Sequence, residues 1–265
     1  MHSASALRLQ IESSLERRFP AALSPLPRTG RESAPTGIPA IDRLLGGGLP
    51  VGAISEVCGP ASSGRTSLAL AFLAARTQQD RVCAWVDPSD VFDAESAAAN
   101  GVILRQLLWV RPSRLPTPQK SAWSNSRKQA AESPVFSCLD RSLRATDLLL
   151  QAGGFSAIVL DLGSISASHG QRIPLATWFR FRQAADRTGC SLLVLAQQSL
   201  AQSSADVVLQ CTALTRLQPS STVLTTYAFK VSSGRQRFST SLSGQRKPPE
   251  STWSATSPAQ REASA

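Results

Sequence analysis

Gly59-Pro60-Ala61-Ser62-Ser63-Gly64-Arg65-Thr66-Ser67 is the stretch that decides how this chain is read. It fits the pattern G-x-x-x-x-G-K-[ST] at every position but one, where Arg65 stands in place of lysine. Its flanks suit a phosphate-binding loop, because AISEVCG (53–59) reads as a strand leading in and TSLALAFLAART (66–77) as a helix leading out. In such a turn glycines let backbone N–H groups converge on phosphate, and the helix N-terminus adds its positive end. Gly59, Pro60, Ser62, Ser63, Gly64, Arg65, Thr66 and Ser67 are therefore the candidate nucleotide-binding residues, with ATP and magnesium the implied ligands. Arginine is no simple substitute for lysine here, since a compact ammonium fits between two phosphates and a planar guanidinium is wider. It can still hold a phosphate from a shifted position. Thr66 is the expected magnesium-side hydroxyl. Asp161, which closes the apolar run FSAIVLD (155–161), is the natural acidic partner that orders the ion and its water.

Outward from the loop, strands and helices alternate. A helix begins near Pro39 and ends at Gly46–Gly48, where glycines terminate it. VCAWVD (82–87) reads as a strand, Val91 to Asn100 as a helix, and LLWV (107–110) as a short strand. A helix over about 140–152, the strand 155–161, a helix from Leu175 to Arg187 and the strand SLLVLAQ (191–197) follow. Trp178, Phe181 and Ala185 share one face of that last helix, which points to core packing rather than to a surface for single strands. ADVVLQCTAL, TVLTTYAFKV and RFSTSL are further β-prone runs. Strands apolar on both faces between helices predict an α/β fold with a mostly parallel sheet covered on both sides.

The flanks differ in composition. Leu7, Ile11 and Leu15 give a short amphipathic helix, and residues 20–35 are a proline-rich linker, so 1–35 is an arm. A helix this short needs something to dock against, either its own core or a second copy of the chain. Residues 36–243 form the core, interrupted by an exposed, flexible insertion at about 111–136. From Gly244 to Ala265 the proline- and serine-rich composition predicts a disordered tail. Trp123 and Trp253 lie in these polar stretches with nothing obvious to bury them, as partner anchors would.

With 265 residues, 42% of them hydrophobic, the chain suits one globular domain. No apolar run is long enough to cross a bilayer, and the charged N-terminus lacks a secretory leader, so the expected compartment is the cytoplasm. Five cysteines without CxxC spacing and two histidines offer no metal site. The net charge is +10 and uneven. Between Glu95 and Glu132, and again between Asp206 and Glu250, there are basic residues and no acidic ones. Such segments favour a polyanion, with single-stranded DNA the expected partner, although solvated charges would look the same.

TGIPAIDRLLGGGLPVGAISEVCGPASSGRTSLAL resembles the RecA recombinase family, with its Thr-Gly turn, Ile-Asp helix, Gly-rich loop, strand and phosphate loop. The resemblance continues through WVDPSDVFDAESAAANGVILRQLLWVRP, AIVLDLGS and SLLVLAQQS. It implies that Thr66 contacts magnesium, Asp93 lies near the adenine, Asp161 is the Walker B carboxylate, and Gln197 senses the γ-phosphate. The departures point elsewhere. The family's catalytic glutamate falls two residues beyond Asp87, where this chain has Ser89, so no catalytic residue is assigned. Asp90 is adjacent, but a one-residue shift changes its direction. The stretches after Asp161 (164–172) and after Gln197 (198–204) are short for DNA-binding loops. This combination resembles the ImuA group, RecA-like accessory factors of damage-induced (SOS) mutagenesis that work beside error-prone polymerases. The resemblance thus implies an adaptor for DNA, a RecA filament or polymerase components, with little ATPase activity. A DNA-dependent strand-exchange ATPase using Arg65 and Asp90, and a protein-binding regulator of cell division, are the alternatives.

Overall fold

In the computed structural model, residues 31–111, 134–214, 226–236 and 249–256 are described. Apart from Arg31, they belong to a unit spanning Glu32–Ala265. The N-terminal helix, Trp123 and the run 237–242 lie outside the described residues.

The short apolar runs become strands buried along their whole length: β3 (Ile54–Cys58), β4 (Cys83–Val86), β6 (Ala157–Asp161) and β7 (Ser191–Ala196). With β5 (Leu107–Val110) and β8 (Val207–Leu214) they run parallel, and β9 (Thr226–Gln236) and β10 (Glu250–Thr256) extend the sheet antiparallel. The order is β10-β9-β8-β3-β7-β6-β4-β5. A small antiparallel pair, β1 (Ser33–Ala34) with β2 (Leu49–Pro50), stands beside it. The helices are α1 (Pro39–Leu45), α2 (Arg65–Thr77), α3 (Ala94–Ala99), α4 (Pro134–Ala152), α5 (Ala167–Gly170) and α6 (Leu175–Thr188).

Because successive strand residues point to opposite faces, each central strand feeds two cores. Val57, Trp85, Val159 and Leu193 pack with Leu68, Phe72 and Leu73 of α2. Cys58, Val86, Ile158 and Leu192 pack with Leu150 of α4 and with Trp178 and Phe181 of α6. The predicted layering is therefore present, and Trp178 and Phe181 are core residues. The Thr-Gly and Ile-Asp pairs have a structural reason. The N–H and hydroxyl of Thr36 both donate to Asp42 Oδ1 at 2.7 Å, which clamps α1 against the preceding turn. Gly37, at φ +78°, lies so near α2 that a Cβ would stand 3.2 Å from the Ala71 carbonyl oxygen.

Three boundaries differ from expectation. α4 starts at Pro134, inside the stretch expected to be an insertion, because proline suits a first helical turn. Ala34, expected in a linker, is buried in β1. The expected disordered tail is corrected for Glu250–Thr256, which pair with β9 over their whole length. Composition concealed this strand: its serines and threonines read as loop, but every second residue can face water while Trp253 turns inward. The Trp253 ring lies 4.8 Å from that of Phe229 and packs against the α1–α2 core.

Replacing Trp253 with alanine should therefore cost about 2–3 kcal/mol, less than for a wholly buried tryptophan, as read from the urea midpoint. Four cysteines are buried: Cys58, Cys83, Cys190 and Cys211. Burial pushes each of these thiols up to about 12. Maleimide at neutral pH is expected to modify Cys138, which is half-buried, well before the other four, and all five after denaturation.

Candidate functional site

Every parallel strand delivers its C-terminal end to one edge of the sheet, which is where α/β folds bind ligands. β7 lies between β3 and β6, so the phosphate loop, Gln197 and Asp161 come together there although they are far apart in sequence. Asp161 pairs with Leu195, and Cys58 with Ala196.

The loop has the geometry its glycines imply. Gly64 precedes α2 at φ +90°, and a Cβ there would stand 2.7 Å from the Phe229 ring. At Gly59 a Cβ would collide with the Cys211 carbonyl oxygen. Ser62 adopts φ +58°, which a non-glycine residue seldom does. Residues 62–67 and Phe229 line an open pocket of about 280 Å³. Ser63 is 1% exposed, and its Oγ has no hydrogen-bond partner. A buried hydroxyl left without a partner beside a helix N-terminus suits an anionic oxygen. The cradle therefore fits the phosphates of a nucleotide.

Arg65 folds back across the site. Its Nη2 donates to the Gly163 carbonyl oxygen at 3.4 Å, and Gln197 Nε2 donates to the same oxygen at 3.4 Å. Asp161 is 6% exposed, and its Oδ1 accepts the Gly163 N–H at 2.9 Å. Burial raises the Asp161 carboxyl above its ordinary value, opposed by the Gly163 hydrogen bond, assisted by the Asp87 charge and opposed again by Arg65. Thr66 is exposed on the first turn of α2, as a magnesium-side hydroxyl would be. Asp161 suits magnesium less well, since its Oδ1 already serves Gly163 and a guanidinium stands nearby.

Asp87 is fully buried and accepts the N–H groups of Ser89, Val91 and Phe92, which fixes the turn after β4. Ser89 holds the place where the resemblance expects a glutamate, and it is partly exposed. Asp90, at φ +55°, pairs with Arg111 at 3.4 Å, and Arg111 in turn covers the Trp109 ring at 4.4 Å. Asp93 is exposed and caps α3 by accepting the Glu95 N–H at 3.1 Å.

Two contributors were not anticipated. Glu56, in the middle of β3, is fully buried. Its carboxylate accepts from the Ser199 hydroxyl and from the N–H groups of Leu200 and Ala201, at 2.7 and 2.8 Å for the latter two. A lone glutamate in the run AISEVC signals a charge that must be paired, though not with what. Phe229 gave no signal, because nothing local shows that β9 reaches the loop. The short connection after Gln197 is thus pinned to β3. It also meets the other short loop, since a Cβ on Gly170 would lie 2.9 Å from Leu200.

Fold and loop together define a RecA-like P-loop α/β protein. Residues 10–115 match the family described as RecA N-terminal domain. Protein RecA of Synechocystis sp. is 39% identical over 108 residues, 41% of this chain and 30% of that protein. Protein RecA of Brucella anthropi is 34% identical over 131 residues, 49% of this chain and 30% of that one. The chain therefore matches under a third of the length of these relatives. The crystal structure of the RadB recombinase superposes with a TM-score of 0.56 at 17% identity, covering 83% of this chain and 94% of that one. Over residues 10–115 the chain is similar to the RecA N-terminal domain, and its fold is RecA-like. Among its described residues, no helix is long and apolar enough to cross a membrane.

The raised Asp161 carboxyl has a sign that can be measured. The folded state binds the proton more tightly than the unfolded chain, so this group's contribution to stability is largest at acid pH. That contribution is lost as pH rises through the folded value. Asp161→Asn keeps an acceptor for the Gly163 N–H and removes the buried charge. It should raise the thermal midpoint at neutral pH, with the gain disappearing as pH falls into the carboxylate range.

Proposed function

We propose that this chain is a RecA-like accessory protein of DNA repair, an adaptor for DNA or polymerase components in damage-induced translesion synthesis. Its nucleotide site is degenerate for hydrolysis. The observation that carries this reading is the turn after β4. Ser89 offers no carboxylate at the expected general-base position, and the neighbouring Asp90 is held outward by Arg111. A positioned general base contributes roughly 10²–10⁴ in rate, which a serine does not supply.

Three further features support it. The phosphate-loop lysine is Arg65, which is engaged with Gly163. The two connections expected to carry DNA loops are short and packed together, Leu200 against Gly170, which favours an adaptor over a strand-exchange filament. The sequence also resembles the ImuA group in its departures from RecA. The protein would work in the cytoplasm, with a RecA filament or an error-prone polymerase as protein partner and the N-terminal helix available for self-association. DNA would be met by the arginine-rich segments, of which Arg105 is exposed. Arg114, Lys120, Arg127, Lys128, Arg216, Arg237, Arg246 and Lys247 lie outside the described residues. In the site, backbone N–H groups of the loop and Ser63 would bind phosphate, and Gln197 would report its presence through Gly163 to residues 198–204.

The test is the purified chain with ATP, magnesium and single-stranded DNA. We expect no DNA-stimulated phosphate release, together with DNA binding whose affinity falls with salt by a log–log slope of about −0.7 per phosphate neutralised. Stimulated release that vanishes in Asp161→Ala would instead identify a DNA-dependent ATPase. Neither binding nor release would favour a regulator, of cell division for instance, that contacts only protein.

A further inference from the structure

The end of β6 is crowded by groups of opposite charge. A Cβ placed on Gly163 would stand 3.0 Å from Asp161 Oδ1, 3.2 Å from Arg65 Nη2 and 3.4 Å from the guanidinium carbon. Carboxylate and guanidinium therefore border the same small volume, and a Cβ there would oblige them to give by a few tenths of an ångström. A magnesium ion demands near-octahedral oxygen coordination and keeps several of its waters. Beside Asp161 that shell would compete for space with Arg65, and the two cations would repel each other across a poorly hydrated gap.

The same arginine has a donor to spare. Arg65 Nη1 is buried without a hydrogen-bond partner, and so is Ser63 Oγ, and both residues line the pocket of the phosphate loop. Buried donors left unsatisfied cost stability unless a ligand completes them. A guanidinium suits this task, since its fork can bridge two phosphate oxygens where an ammonium meets them as a point charge. We infer that the pocket takes the polyphosphate of a nucleoside di- or triphosphate as the free anion, with Arg65 supplying the positive charge in place of a divalent cation. This rests on the nucleotide-site part of the proposed function and deepens it. A polyphosphate bound without magnesium lacks the metal that neutralises charge in phosphoryl transfer, so retention without turnover is the natural behaviour of such a site.

The experiment is calorimetric titration of the full chain with ADP and with a non-hydrolysable ATP analogue, in excess magnesium and in EDTA. For the unmodified protein binding in EDTA should be as tight as in magnesium or tighter, because excess ion sequesters the free anion. Arg65→Lys, which restores a compact ammonium, should make binding depend on the ion, weakening by about tenfold or more in EDTA. Gly163→Ala, which displaces the guanidinium, should weaken binding in EDTA more than in magnesium. An unmodified chain that loses tenfold in EDTA, or that binds neither nucleotide, overturns the inference whatever the variants do. Equal metal independence in a folded Arg65→Lys also overturns it, because Arg65 is then not the cause. DNA binding and phosphate release measured on the same samples keep the two ideas separate. Metal-dependent nucleotide binding without turnover removes this inference and leaves the adaptor standing, whereas DNA-stimulated turnover removes the adaptor.

Discussion

The carbonyl oxygen of Gly163 is the point on which the ligand end of the sheet is organised. It receives Arg65 from the phosphate loop and Gln197 from the end of β7, while the N–H of the same residue donates to Asp161. One residue thus ties together three elements that strand order brings side by side. A Cβ at position 163 would press on both Asp161 and Arg65, which would have to give by a few tenths of an ångström.

Buried carboxylates do most of the remaining positioning. Glu56 and Asp87 are both fully buried, and each accepts three hydrogen bonds from a turn. A buried charge costs several kcal/mol in lost hydration, and charge-assisted hydrogen bonds of about 1.5–3 kcal/mol each offset it only when the set is complete. Each carboxylate therefore fixes one conformation of its turn. The turn after β4 and the connection after β7 are each held by one buried carboxylate at the ligand end of the sheet.

The antiparallel extension matters for a different reason. β9 brings Phe229 over Gly64, and β10 brings Trp253 onto Phe229, so two aromatic rings back the phosphate loop from outside the parallel sheet. The loop is held from the far end of the chain as well as by its own flanking strand and helix.

The sequence by itself determined the parallel α/β layering, the phosphate loop, the departure at Arg65 and Ser89, and the burial of Trp178 and Phe181. The loop, Arg65 and the helix face of Trp178 and Phe181 are local, being periodicities or spacings within a dozen residues, whereas the layering was read from elements alternating along the chain and Ser89 from the resemblance to RecA. Only the tertiary structure decided where Arg65 points, what Glu56 holds, that Asp90 is taken by Arg111, and that Glu250–Thr256 form a strand. These are contacts across 18 to 145 positions of sequence, and no local pattern encodes the partner at the far end. β10 was concealed for the same reason: serine and threonine read as loop until a neighbouring strand supplies the hydrogen bonds that make them a sheet.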